Sequence, residues 1–254
     1  MAITAIDYSI VRGLRAGGLL PLGGAVLELG EANWYGDVGL NDLRADIEAF
    51  ASDAHRQPLL GALDRYGAER NLFGLAKLFW ATFTQSDDMT AIDLHGGPAA
   101  LKLNLNEPVD LGRQFEIVTN LGTIEHVFNV ARALETIHDH AKPGGLMLHG
   151  MPLSGWVDHG FYSFNPTLYW DLAAANGYQV VGAFYTQLDP FLITPLPSRE
   201  TVGEMAGRGE IGANSLIYVV FRQAAEPAPF RAPMQGYYAD ALSPEAAERW
   251  RTAR

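Results

Sequence analysis

Short apolar runs punctuate this chain, and in most of them apolar residues occupy successive positions rather than alternate ones. They are "AVLELG" (Ala25–Gly30), "TAIDLH" (Thr90–His95), "ALKLNL" (Ala100–Leu105), "FEIVTNLG" (Phe115–Gly122), "GLMLHGMP" (Gly145–Pro152), "YQVVGAFYT" from Tyr178 and "NSLIYVVFR" from Asn214. Such runs suit strands that are covered on both faces. Between them the period changes to that of a helix. Over Thr123–His140, Val127, Val130, Leu134 and Ile137 fall on one stripe, with Thr123 as the expected N-cap and "KPGG" as the stop. Asn165–Tyr178 reads as another helix, with Gly177 at its end. This alternation predicts an α/β fold: a doubly wound, mostly parallel sheet of seven strands.

One interval is too long for a simple crossover. Residues 31–89 separate the first two strands, and about 40–85 read as two or three helices. "FGLAKLFWATF" within them is apolar almost all round, so it is expected to be buried as a helical insertion covering the sheet or the active site. The organisation expected is a main domain over 1–222 and a Pro/Ala-rich arm over 223–254. The arm should end in a short helix after Ser243-Pro244 and pack on its own domain or on a second subunit of a homo-oligomer.

Composition narrows the function classes. The formal net charge is −11 and no basic cluster is present, which argues against nucleic acid and against anionic membrane surfaces. The absence of cysteine excludes disulfides, thiolate metal sites and a catalytic thiol. No run reaches the ~18 apolar residues of a membrane span, and the N-terminus lacks a secretory pattern, so a cytoplasmic protein is expected.

The candidate chemistry begins at "VLELGEANWYGD" (Val26–Asp37), where the first strand meets a loop. Open α/β sheets bind ligands beyond the carboxyl ends of their strands. A phosphate-binding loop needs several glycines, whereas here Gly30 is followed by Glu31, Ala32, Asn33 and Trp34. A carboxylate in that position argues against a dinucleotide. S-adenosylmethionine fits better, because it carries no phosphate and has a positive sulfonium.

In this arrangement the chain resembles the class I, Rossmann-like S-adenosylmethionine-dependent methyltransferases over roughly residues 24–222. "LELGEAN" is similar to a degenerate form of the family's acidic–x–Gly–x–Gly loop, with Glu28 and Gly30 matching and Asn33 in the loop. "AIDLH" resembles the second-strand motif, which implies that Asp93, with Leu94 beside it, holds the ribose. "LNLNEP" resembles the third-strand end, where Asn104 and Leu105 would meet the adenine. "FEIVTNLGTIEHV" is similar to the fourth strand and its following helix, with Asn120 at the strand end. "KPGG" before a strand and "HGFYSFNPTLYWDLAAANGY" add to the likeness.

The expected function is therefore transfer of a methyl group from S-adenosylmethionine to an O or N atom of a small-molecule acceptor. Two alternatives are kept: a non-catalytic S-adenosylmethionine-binding or assembly protein, and a nicotinamide-dependent oxidoreductase. Among the histidines, His138 and His140 suit the C-terminal turn of a helix, and His149 lies inside a strand, so all three read as structural. His126 and His159 follow strand carboxyl ends and are the candidate general bases. His126 is placed in a first helical turn, where the helix dipole would keep it neutral. Glu125, His126 and His159 could approach one another, yet their spacing matches no metal motif, so no metal is expected.

Overall fold

A computed structural model describes residues 1–240 and 242–252. Its elements in chain order are β1 (Ala2–Ile3), α1 (Ala5–Ala16), β2 (Val26–Leu29), β3 (Asn33–Trp34), α2 (Leu40–Phe50), α3 (Asp53–Glu69), α4 (Leu72–Thr84), β4 (Met89–Ile92) and β5 (Phe115–Leu121). A 3₁₀ turn (Ile124–His126) follows, then α5 (Val130–His140), β6 (Ala141–Ser154), α6 (Pro166–Asn176), β7 (Gln179–Gln187), β8 (Leu192–Pro195), α7 (Glu200–Gly207), β9 (Ser215–Arg222) and α8 (Pro244–Thr252).

Seven strands form one sheet in the order β4-β2-β5-β6-β9-β7-β8. Pairing is parallel from β4 to β6, while β9 runs antiparallel to both its neighbours and β8 antiparallel to β7. The sheet is doubly wound and mostly parallel, as the sequence predicts. Its membership differs at one position. Ala100–Leu105 is not a strand; it makes a single parallel bridge, Ile92 to Leu101. Asn104 turns the chain instead, its Oδ1 accepting from the backbone N–H of Asn106 at 3.1 Å. An Asx turn there competes with strand extension. The seventh strand is β8, whose run is too short and too exposed to stand out in sequence.

Alternate residues of each strand face opposite layers. Val26, Ile117, Leu146, Leu148 and Val220 meet α1 and α4 on one face. Leu27, Leu29, Val118, Met147 and Phe221 meet α5 and α6 on the other. The residues between β2 and β4 form α2, α3 and α4, and α4 lies against the sheet with Phe79, Trp80 and Phe83 inaccessible to solvent. Its all-round apolarity thus comes from burial between sheet and outer helices.

The arm folds onto its own domain. Arg231 N–H donates to Asn176 Oδ1 at 2.8 Å, and Gly236 N–H to Asp171 Oδ2 at 3.1 Å. The Ala228 carbonyl meets His138 Nε2 at 2.8 Å. The Tyr237 and Trp250 rings stack at 3.7 Å.

Candidate active site

The carboxyl ends of β2, β4, β5 and β6 converge on one edge of the sheet, and the loops leaving them carry the candidate residues. Gly30 follows β2 with φ +81°, a conformation that favours glycine. A Cβ there would lie 2.6 Å from Thr123 Oγ1 and 2.8 Å from Cγ of Met1. The close approach that a glycine permits is thus real, and Met1 takes it. Met1 Sδ also lies 2.9 Å from Thr123 Oγ1. Strand β1 pairs with β3, so that Asn33 N–H donates to the Met1 carbonyl at 3.1 Å.

Glu28 is buried. Its Oε1 accepts from Trp80 Nε1 at 2.9 Å and its Oε2 from Ala32 N–H at 3.4 Å. Its two oxygens thus tie the loop after β2 to α4. Burial pushes its carboxyl up to about 7, against the lowering by those two bonds. Glu31 is buried as well, and turns away to Lys77 Nζ at 3.0 Å and to the Gly97 N–H. Trp34 is a core residue, whereas Tyr35 is exposed.

Asp93 follows β4 and orders two loops. Its Oδ2 accepts from Glu31 N–H at 2.9 Å and its Oδ1 from His95 N–H at 2.7 Å. It is partly open to solvent, so lone pairs remain for a ligand. Leu94 beside it is exposed and Leu105 is in the core. Asn120 has no free group. It is fully buried, its Oδ1 accepts from Ile124 N–H at 3.1 Å, and its Nδ2 faces Met151 Sδ and His149. It shapes the turn after β5.

That turn departs from the expectation of a helix from Thr123. Thr123 caps nothing; its hydroxyl donates to the Leu29 carbonyl at 2.5 Å. The helix begins at Val130 behind the Asn129 cap. His126 therefore closes a 3₁₀ turn, and the helix-dipole argument for it fails. It is nonetheless held below the usual imidazole range, by burial first, then by the neighbouring His159 and the N-terminal ammonium.

His159 reaches the same place from the loop after β6. Phe161 N–H donates to the Glu125 carbonyl at 2.7 Å, which straps that loop to the 3₁₀ turn. Three residues in the loop are left-handed: Gly155 at φ +75°, Trp156 at +55° and Asp158 at +63°. A tryptophan in this region is strained. Glu125 lies beneath both histidines with its side chain 1% exposed, its Oε1 3.8 Å from His126 Nε2 and 3.7 Å from His159 Nε2. Neither carboxylate oxygen has a hydrogen-bond partner among the described residues. Burial pushes this carboxyl up to about 7. Their place after strand ends singles out the two histidines in the sequence, and Glu125 with them as a residue that could approach; its burial beneath both is a finding of the structure. Around the cluster, Val157, Phe161 and Phe128 are 93%, 67% and 73% exposed, and the two phenylalanine rings meet edge-on at 6.2 Å.

Three other histidines are buried within the fold. His138 bonds Tyr178 Oη at 2.6 Å, His140 bonds the Thr136 carbonyl at 2.7 Å, and His149 is sealed in the core. A separate cavity of about 870 Å³ lies past the end of β6, between α6, α7 and α8, with Leu153, Val202, Ile211 and Trp250 in its walls.

A doubly wound sheet with its polar loops gathered at one strand edge, and a glycine cradle after the first long strand, defines a cofactor-binding enzyme of the open α/β class. The chain belongs to the methyltransferase-domain family, which matches residues 50–187, and its cofactor is S-adenosylmethionine. No curated protein sequence matches significantly. Solved structures with related architecture include the N-methyltransferase NodS from Bradyrhizobium japonicum WM9 in complex with S-adenosyl-L-homocysteine. It is 12% identical, with 86% of each chain covered and a TM-score of 0.46. Another is 1,6-didemethyltoxoflavin-N1-methyltransferase from Burkholderia thailandensis, 14% identical, covering 85% of this chain and 77% of that one at a TM-score of 0.43. At such distances no acceptor carries over. Among the described residues no helix is long and apolar enough to cross a membrane.

Proposed function

We propose that this methyltransferase acts on an O or N atom of a small molecule that has an apolar or aromatic body. The observation that carries this reading is the Glu125–His126–His159 cluster, set at the carboxyl edge of the sheet and flanked by exposed Phe128, Val157 and Phe161. Rings and aliphatic surface of that kind favour a flat apolar ligand. The net charge of −11 disfavours nucleic acid as the acceptor.

The cofactor supplies an electrophilic methyl group on a sulfonium. Gly30 allows close approach of its methionine end, and Asp93, with Leu94 beside it, offers an anionic acceptor for the ribose hydroxyls. The protein's share of the rate is alignment of the acceptor, together with removal of its proton at the cluster when it carries one. The exposed Phe128 and Phe161 rings form a wall beside that position.

Two measurements test the reading. Calorimetry should show S-adenosylhomocysteine binding and no NADH binding, and NADH binding alone would return the oxidoreductase alternative. Release of S-adenosylhomocysteine should then be profiled across hydroxylated and amino aromatic acceptors. Cofactor binding without turnover on any acceptor class would favour a non-catalytic binding protein.

A further inference from the structure

Glu125 is a buried carboxylate with the N-terminal ammonium as a charged neighbour. A group so dry is costly unless its oxygens are paired, and neither oxygen is bonded among the described residues. The nearest partners are two imidazole Nε2 atoms at 3.8 and 3.7 Å from Oε1, beyond hydrogen-bond reach. Two ligand atoms that share a tetrahedral ion at ~2.1 Å stand ~3.4 Å apart. The observed spacing is close to that, and a small side-chain rotation closes it. One donor atom from each of the three residues lies within 4.8 Å of the others.

We propose that Glu125, His126 and His159 bind one divalent transition-metal ion of the zinc, cobalt or iron class. Two imidazoles and one carboxylate are the donor set such ions take, and imidazole nitrogen selects against magnesium and calcium. The backbone is built to hold the set. His126 closes a 3₁₀ turn, Phe161 straps the following loop to Glu125, and strained left-handed residues at Trp156 and Asp158 bring His159 over it. Both imidazoles are half-exposed, so the remaining coordination positions face solvent and the phenylalanine wall. An oxygen bound there loses its proton to bulk water far more readily; zinc lowers the pKa of water from ~16 to ~7. That last role rests on the methyl-transfer reading, and ion binding does not. Occupancy by the ion would make the histidines ligands rather than proton acceptors.

The test uses the untagged full-length chain, stripped with chelator and titrated with Co²⁺ while visible absorption is followed. One equivalent should bind with d–d bands of a nitrogen- and oxygen-ligated ion. Zn²⁺ should displace it and Mg²⁺ should not. His126→Ala and His159→Ala should each weaken binding by more than the ~10–100-fold that losing a supporting neighbour costs. Because both side chains are half-exposed, these variants should keep the wild-type melting curve, and Glu125→Gln gives a third, isosteric arm. Absence of saturable binding in the wild type, or binding unchanged in both histidine variants, would overturn the proposal. S-adenosylhomocysteine affinity measured on the same samples reports on the cofactor site alone, so failure of the metal site and failure of the methyl-transfer reading give different results.

Discussion

Glu28 shows how a single residue ties sequence, fold and pH together. It lies in β2 facing α4, takes the Trp80 N–H, and has Glu31 and Lys77 as its charged neighbours. Its folded pKa of about 7 lies above the ordinary 4.5, so the folded chain holds a proton that the unfolded chain has released. Stability from this group is therefore full below pH 4.5 and is lost as pH rises to about 7. At 1.36 kcal/mol per pKa unit the loss is on the order of 3 kcal/mol. In Glu28→Gln that pH-dependent part should vanish, so the stability difference between variant and wild type should shift in favour of the variant across this window. Parallel curves from denaturant melts at pH 4.5 to 8 would refute the assignment.

Asp93 makes a prediction of another kind. Each hydrogen bond from a ribose hydroxyl to this charged acceptor is worth ~1.5–3 kcal/mol. Asp93→Ala should lower S-adenosylhomocysteine affinity at least ~10-fold. It also frees the Glu31 and His95 amides, which should speed their hydrogen exchange. Undiminished affinity would remove Asp93 from the cofactor site.

At the scale of elements, α4 is the clearest case. Trp80 and Phe79 are inaccessible to solvent, and their rings meet at 4.9 Å. Trp80→Ala should cost ~3–5 kcal/mol in a thermal melt, through a cavity and a stranded Glu28. Limited proteolysis should spare α4 with or without cofactor. Rapid cutting between Leu72 and Thr84 would mean that this helix is not part of the packed sheet face. The burial of α4 was legible because it has no polar side; its placement on the sheet was not, since apolarity carries no direction. The strands apolar on both faces were equally plain, and "KPGG" marked the entry to β6. What escaped the sequence were features decided by local polar competition or tertiary pairing. Asn104 closes an Asx turn where a strand was expected, and Thr123 bonds the neighbouring strand in place of a helix terminus. Asn120 at the end of β5 is sealed under the following turn, its Oδ1 accepting from Ile124 N–H, which the strand pattern does not show. The two histidines were identifiable from their place after strands, while their convergence on Glu125 depends on left-handed residues that no periodicity announces.

For the whole molecule, the arm was expected to serve either its own domain or a second subunit. Its bonds to His138, Asn176 and Asp171 engage it in cis. Deleting residues 227–254 should therefore lower the melting temperature by several degrees and uncover the cavity beside α6. An unchanged melting temperature would show that these contacts contribute nothing to the fold. Sedimentation of the intact chain at several concentrations addresses the remaining possibility of self-association.

The Met1 side chain in the Gly30 cradle has a thermodynamic consequence. A tethered group competes at an effective concentration on the order of millimolar, and dilution does not remove it. A cofactor that needs the Gly30 backbone binds only the fraction of chains from which Met1 has withdrawn, and the apparent dissociation constant is the intrinsic one divided by that fraction. Withdrawal would also loosen β1, whose carbonyls at Met1 and Ile3 receive the N–H groups of Asn33 and Tyr35. Saturation with S-adenosylhomocysteine should accordingly speed hydrogen exchange at those two amides while it slows exchange around Asp93. Slower exchange at Asn33 and Tyr35 as well would mean that cofactor and Met1 occupy the site together.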